Sequence, residues 1–334
     1  MDHTNLPSRR GFLGGAAALL LGSALPLPAL AQATAQAWPT KPVRVLVPFG
    51  AGGIADITVR IVAERLGEKL GQRFVIENQP SPGGINAARA ALQGGTDGYS
   101  IALFSNGTAV AAGLFKNLRY DPVKEFAPVS ALGYFDFVFA TGGESRFKTL
   151  GDLLAEARAK PGALNIGTIA SGSTQNLSGE LFKSSANIDA RIVPYRTTPD
   201  VILAAMRGDV DLIVDSYASM KANLEDGKLR TLATSSINRS VSLPNAPTVA
   251  EAGVPGFDVT SWNAIFAPAG TPQPIIDALN KAILDVLAMP ETKKQLLDLG
   301  IEAKGSTPAE LGDKLKADIA KWTAIIDKSG IEKQ

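Results

Sequence analysis

The residue pattern best suited to chemistry is Gly50-Ala51-Gly52-Gly53, with Asp56 three positions further on. Glycines placed just ahead of a helix let backbone N–H groups approach an anion closely, and the helix dipole adds about half a positive charge at that end. The chemistry on offer is anion binding, with Asp56 either capping free amides or accepting a hydrogen bond from a ligand. Two other readings fit the same residues. One is an ordinary tight turn with a capping aspartate on an open loop that has room for side chains. The other is a dinucleotide fingerprint, because Gly50-x-Gly52-x-x-Ala55 follows a strand-like run and Glu77 ends the next one. Against that fingerprint, Pro48-Phe49 put a bulky aromatic where the loop should be tight.

Side chains for catalysis are scarce. The chain has one histidine, His3, and no cysteine, and His3 lies in a leader expected to be removed. Without them no Ser-His-Asp or Cys-His nucleophile and no ordinary zinc site can be assembled. Ser145-Arg146-Phe147-Lys148 has the Ser-x-x-Lys spacing of penicillin-binding hydrolases, but the Ser-Asp-Asn and Lys-Thr-Gly companions are missing. No EF-hand spacing is present either. The expectation is a binding protein with no catalytic residue, no metal and no cofactor.

The leader is explicit. Ser8-Arg9-Arg10-x-Phe12-Leu13 precedes an apolar stretch to about Leu25, then Ala29-Leu30-Ala31 and Gln32-Ala33. This is a twin-arginine signal peptide over residues 1–33, expected to be cleaved near Ala31 or Ala33. Gly14, Gly15, Gly22, Pro26 and Pro28 interrupt the stretch and argue against a membrane anchor. The expected location is the periplasm. Removing residues 1–33 takes away two arginines and one aspartate and leaves 31 basic and 31 acidic side chains. A balanced charge argues against nucleic acid or an anionic membrane as partner, since both are met with clustered lysine and arginine.

The elements that must hold the glycine loop follow from the pattern. Val43 to Val47 reads as a buried strand, Ile54 to Leu70 as a helix with Ile57, Ile61, Leu66 and Leu70 on its apolar stripe, and Phe74 to Glu77 as a second strand. A helix at Ile85 to Gln93 and a strand at Ser100 to Phe104 continue the alternation, predicting an α/β domain with a mostly parallel sheet. A second series begins after Gly142-Gly143. It has strands at Leu164 to Gly167, Arg191 to Pro194, Asp211 to Val214 and Leu229 to Thr234, with its own Gly/Ser/Thr loop from Thr168 to Thr174. The C-terminal third is helical and has no strand series of its own. It must pack on an earlier sheet, with Tyr134 to Ala140 and Val259 to Ala267 as the extended crossings. The expected organisation is a discontinuous first lobe (34–139 and 261–334) around an inserted second lobe (140–260), joined by a two-strand hinge with a cleft between.

Longer motifs carry a specific resemblance. Phe49-x-x-Gly52-Gly53-x-x-Asp56, Tyr120-Asp121-Pro122-Val123-Lys124-Glu125-Phe126-Ala127-Pro128-Val129, Val193-Pro194-Tyr195, Leu243-Pro244-Asn245-Ala246-Pro247-Thr248-Val249-Ala250-Glu251-Ala252-Gly253 and Ala267-Pro268-Ala269-Gly270-Thr271-Pro272 occur in family order. They resemble the Bug family, the solute-binding proteins of tripartite tricarboxylate transporters. The resemblance implies a two-lobed type II periplasmic binding protein fold that closes on a small organic carboxylate, a mono- or dicarboxylate or an aromatic acid. It implies delivery to the membrane permease subunits, a monomeric receptor and no cofactor. Matched residue by residue, the first carboxylate loop is Phe49, Ala51, Gly52, Gly53, Ala55 and Asp56, with Ser105 and Asn106 at the next loop. The opposite lobe supplies Ser171, Gly172, Ser173, Thr174, Gln175, then Tyr195, Arg196, Thr197 and Asp215. Two departures fall on the far end of the ligand: Asn176 where many members have histidine, and Arg196-Thr197-Thr198 after Tyr195. A ligand sensor for a signalling partner would use the same cleft, and a dinucleotide oxidoreductase is the remaining alternative.

Overall fold

The computed structural model describes residues 38–240, 242–328 and 330–334, so the expected twin-arginine leader and its expected cleavage site lie outside the described residues. Strand β1 (Val43–Val47) is β-branched and buried almost throughout, as a strand covered on both faces must be. It leads through the glycine loop into α1 (Ile54–Leu70), followed by β2 (Phe74–Asn78), α2 (Ile85–Gln93) and β3 (Ser100–Ser105). β2 and β3 flank β1 in parallel, with Val45 opposite Ile76 on one side and Ile101 on the other. On α1 the buried stripe is Val59, Ile61, Val62 and Leu66, while Ile57 and Leu70 are only partly buried.

The chain continues through α3 (Asn106–Leu114) into the long strand β4 (Phe126–Gly142). Then follow α4 (Leu150–Ala159), β5 (Leu164–Ile169), α5 (Thr174–Ala186), β6 (Ala190–Tyr195), α6 (Thr198–Arg207), β7 (Leu212–Ser216), α7 (Tyr217–Glu225) and β8 (Leu229–Thr234). Strand β9 (Thr260–Pro268) leads to α8 (Gln273–Ala288), α9 (Pro290–Leu297) and α10 (Pro308–Lys328). The helices α3 and α7 have no counterpart in the sequence reading. Ser105 and Ser216 each end a strand and cap the helix that follows, so no turn residues announce the change.

The strands run in the order β2-β1-β3-β9-β4-β7-β5-β6, with β8 also on β4. Each outer part is parallel, as the alternation predicts, but the centre is antiparallel because β4 leads the chain from one lobe to the other and β9 leads it back. β4 pairs with β9 as far as Asp136 and with β7 and β8 from Phe137 onward. Ser235, fully buried, joins the segments at that switch. Its Oγ accepts from the Phe137 N–H at 2.8 Å and donates to the Val259 carbonyl at 2.6 Å.

The C-terminal helices return to the first lobe, where α10 packs on α3 and β4 and α8 packs on α1. Two indoles fix them. Trp322 donates to Asn106 Oδ1 at 2.6 Å, and Trp262 on β9 donates to Asp318 at 2.7 Å. The second lobe has a smaller apolar cluster of its own, with Val201, Ile202, Ile213 and Met220 among its members.

Candidate functional site

Gly52 has φ +82°, a conformation that favours glycine, and turns the loop so that its N–H reaches back to Asp56 Oδ2 at 3.0 Å. Asp56 braces the loop. Its Oδ1 accepts from Arg60 at 2.9 Å and from Asn78 at 3.0 Å, and Asn78 also donates to the Phe49 carbonyl at 3.1 Å. Burial by itself would raise this carboxyl, but the hydrogen bonds from Arg60, Gly52 and Asn78 and the Arg60 charge hold it below the ordinary carboxylate range. The N-cap of α1 is Gly53, which has no side chain to cap with. The first-turn amides of α1 therefore keep their donor capacity.

The opposite wall is built from caps. Ser173 accepts from the Asn176 N–H at 3.1 Å at the start of α5, and Thr197 accepts from the Asp200 N–H at 3.3 Å at the start of α6. Beneath them lies Asp215, fully buried at the end of β7. It accepts from the Ser216 N–H at 2.7 Å, from Thr198 Oγ1 at 2.9 Å and from Gln175 at 3.5 Å. Burial pushes its carboxyl up to about 6 in spite of those bonds.

The two walls touch. The Gly83 N–H donates to the Ser171 carbonyl at 3.2 Å, and Thr174 and Ser261 hydroxyls lie 3.5 Å apart. A Cβ on Gly53 would stand 3.0 Å from Thr198 Oγ1. Gly53 is accordingly buried against the other lobe, which corrects the expectation of an open loop with room for side chains. Between the walls remains a cavity of about 20 Å³, space for a water-sized group.

Of the residues expected at the site, Phe49, Gly53, Ala55, Ser105, Thr174, Gln175 and Arg196 line this cavity. Ala51, Gly52, Asp56, Ser171, Gly172, Ser173, Tyr195, Thr197 and Asp215 do not line it; Gly52, Asp56, Ser173, Thr197 and Asp215 shape its walls through the bonds described above. Asn106 also stays outside the cavity, its amide committed to Trp322 and, at 3.3 Å, to the Thr260 carbonyl. Asn176 turns inward to Thr168 Oγ1 at 3.1 Å. Sequence reasoning missed Phe135, Ile169, Thr198, Ser261 and Asn263, all of which line the cavity. Four of these five sit on strands, where nothing local distinguishes a cavity wall from core. Among the described residues no aspartate or glutamate lines the cavity, and its one charged residue is the exposed Arg196, which has no ion pair with any of them.

Both enzyme-like patterns are otherwise engaged. The Glu77 carboxylate receives Arg44 at 2.7 and 2.8 Å, so the acid a dinucleotide ribose would need is occupied. Lys148 Nζ donates to the Ser145 carbonyl at 2.9 Å rather than to its hydroxyl, and Ser145 Oγ accepts from the Phe147 N–H.

Comparison with known proteins points one way. The family profile described as "Tripartite tricarboxylate transporter family receptor" matches residues 58–331. The structure is similar to Rpa4515 of R. palustris, solved with adipate, at TM-score 0.85 and 33% identity over 88% of this chain and 99% of that one. It is similar to the periplasmic binding protein BugD at TM-score 0.85 and 29% identity, covering 89% of this chain and 100% of that one. MatC (Rpa3494) from Rhodopseudomonas palustris, with bound malate, gives TM-score 0.80 and 30% identity over 86% and 99% of the two chains.

Proposed function

The chain belongs to the tripartite tricarboxylate transporter receptor family, and on that premise we propose that it captures a small organic carboxylate between its lobes and presents it to the permease subunits of such a transporter. The observation that carries this reading is the cavity itself. The N-terminus of α1, without a side-chain cap, opens onto it, and among the described residues no acidic side chain lines it and its one charge is the cation Arg196. Such a site favours an anion and penalises a cation. Adipate and malate in two similar structures are both dicarboxylates, which supports the same ligand class here.

In this reading the amides of the Gly53–Ala55 turn hold the proximal carboxylate, Ser105, Thr174, Gln175 and Thr198 surround it, and Arg196 meets the far end. A dicarboxylate needs more room than about 20 Å³, so the lobes part around β4 and Ser235 to admit it. The lobes divide near residues 139 and 260. The protein is a monomeric binding protein without catalysis, and it reaches the periplasm through the twin-arginine leader. Replacing Arg9 and Arg10 by lysine should then hold the precursor in the cytoplasm.

The test is a thermal-shift screen against mono-, di- and tricarboxylates and aromatic acids. A ligand that binds only the native state raises Tm with its concentration. If no carboxylate does so at millimolar concentration, the receptor reading is overturned.

A further inference from the structure

Asn263 on β9 is only 1% exposed and lines the cavity. Its Nδ2 donates to Thr58 Oγ1 at 3.1 Å and faces the Ile54 carbonyl at 3.5 Å. The Thr58 proton is committed elsewhere, donated to that same Ile54 carbonyl at 2.6 Å. Two acceptors therefore fix Nδ2 against α1, and turning the amide over would set Oδ1 against both of them. Among the described residues Oδ1 is left buried with no partner.

A buried acceptor without a donor is costly, so a ligand that brings a donor to it is favoured over one that does not. A carboxylate cannot do so, because an ionised carboxylate only accepts. An ammonium group carries donors, but the cavity lining contains no aspartate or glutamate to balance its charge. A hydroxyl supplies the donor without the charge. Its place along the ligand follows from what Asn263 leans on. Ile54 and Thr58 belong to the first turns of α1, the helix whose free amides take the carboxylate in the proposed function, so the donor must sit beside that carboxylate.

We infer that the receptor selects 2-hydroxycarboxylates, with the ligand hydroxyl donating to Asn263 Oδ1 and Thr58 positioning the amide; this deepens the receptor reading and rests on it. The two similar structures hold one dicarboxylate with a hydroxyl and one without, so likeness leaves the choice open and Asn263 decides it.

The experiment is calorimetry on the full mature chain with three matched pairs: lactate against propionate, malate against succinate, and 2-hydroxyglutarate against glutarate. In the pair whose chain length fits, the hydroxy acid should bind at least tenfold more tightly. Thr58→Val keeps the shape of the helix surface but removes the acceptor that orients Nδ2. It should cut the preference below threefold while leaving the plain acid within twofold of its original affinity. Asn263→Leu should abolish the preference as well. Equal affinities within every pair of the unaltered protein, a comparison that needs no variant to fold, overturn this inference alone. If neither member of any pair binds and the wider carboxylate screen is also blank, the receptor reading falls and this inference with it.

Discussion

Gly53 and Thr198 meet across the cleft: a Cβ on Gly53 would lie 3.0 Å from the Thr198 hydroxyl, which is itself donated at 2.9 Å to the buried Asp215. The glycine loop is thus packed against a side chain that Asp215 holds in place from below. In the proposed function, closing the lobes and completing the anion site would be one event, because the same residues would do both.

Gly53→Val should weaken carboxylate binding by at least about a hundredfold, since the added methyls meet Thr198 before the lobes close. Folding should be little affected. Gly53 has φ −86° and ψ 167°, an extended conformation that valine adopts readily. Calorimetry gives the affinity and a denaturant melt the stability. Thr198→Ala in the same chain should restore part of the binding, and unaltered affinity in folded Gly53→Val would remove the loop from the site.

Arg196→Ala should cost a dicarboxylate at least ~1.4 kcal/mol, a tenfold loss, while a matched monocarboxylate binds almost as before. Arg196 lines the cavity and is exposed, so its removal should leave Tm within about a degree. Equal losses for both ligands, or none for either, would exclude a contact with a second carboxylate.

Asp215 sets a pH dependence whose sign is fixed. Its carboxyl stands at about 6 in the folded protein, above its unfolded value, so between the two the native state binds more protons. Its contribution favours folding at the acid end and is lost as pH rises through about 6. Asp215→Asn carries no charge to bury. Relative to the unaltered protein its unfolding free energy should therefore rise between pH 4 and pH 7 by on the order of 2 kcal/mol. Urea melts at each pH measure this, and parallel curves for the two proteins would show that Asp215 does not titrate in that window.

Asn106→Ala should act on stability and not on recognition. It leaves the buried indole N–H of Trp322 without its 2.6 Å acceptor and frees the Thr260 carbonyl, a loss of about 2–3 kcal/mol. Carboxylate affinity should stay within twofold. A tenfold loss of affinity with unchanged Tm would return Asn106 to the ligand site.

Much of this protein is local, and the sequence by itself determined that part. β-branched runs such as Val43–Val47 make buried strands wherever they are covered, and the glycine loop that opens α1 follows from the same few residues, so the strand, loop and helix were legible. The lack of cysteine, and of histidine beyond His3, restricted the chemistry in the same way. What only the tertiary structure decided is how groups far apart in the chain are used. Asp56 and Asp215 carry the right residue types for a ligand site, and the fold engages both in wall-building bonds, while Asn106 accepts from an indole more than two hundred residues away. Asn263 shows the converse. In the sequence it is a polar residue in a largely apolar strand, and it gains meaning only when β9 sets it against Ile54 and Thr58 and leaves its oxygen unmatched among the described residues. A side chain's type is written in the chain, but whether its hydrogen-bonding capacity is still free depends on which distant partners the fold brings to it.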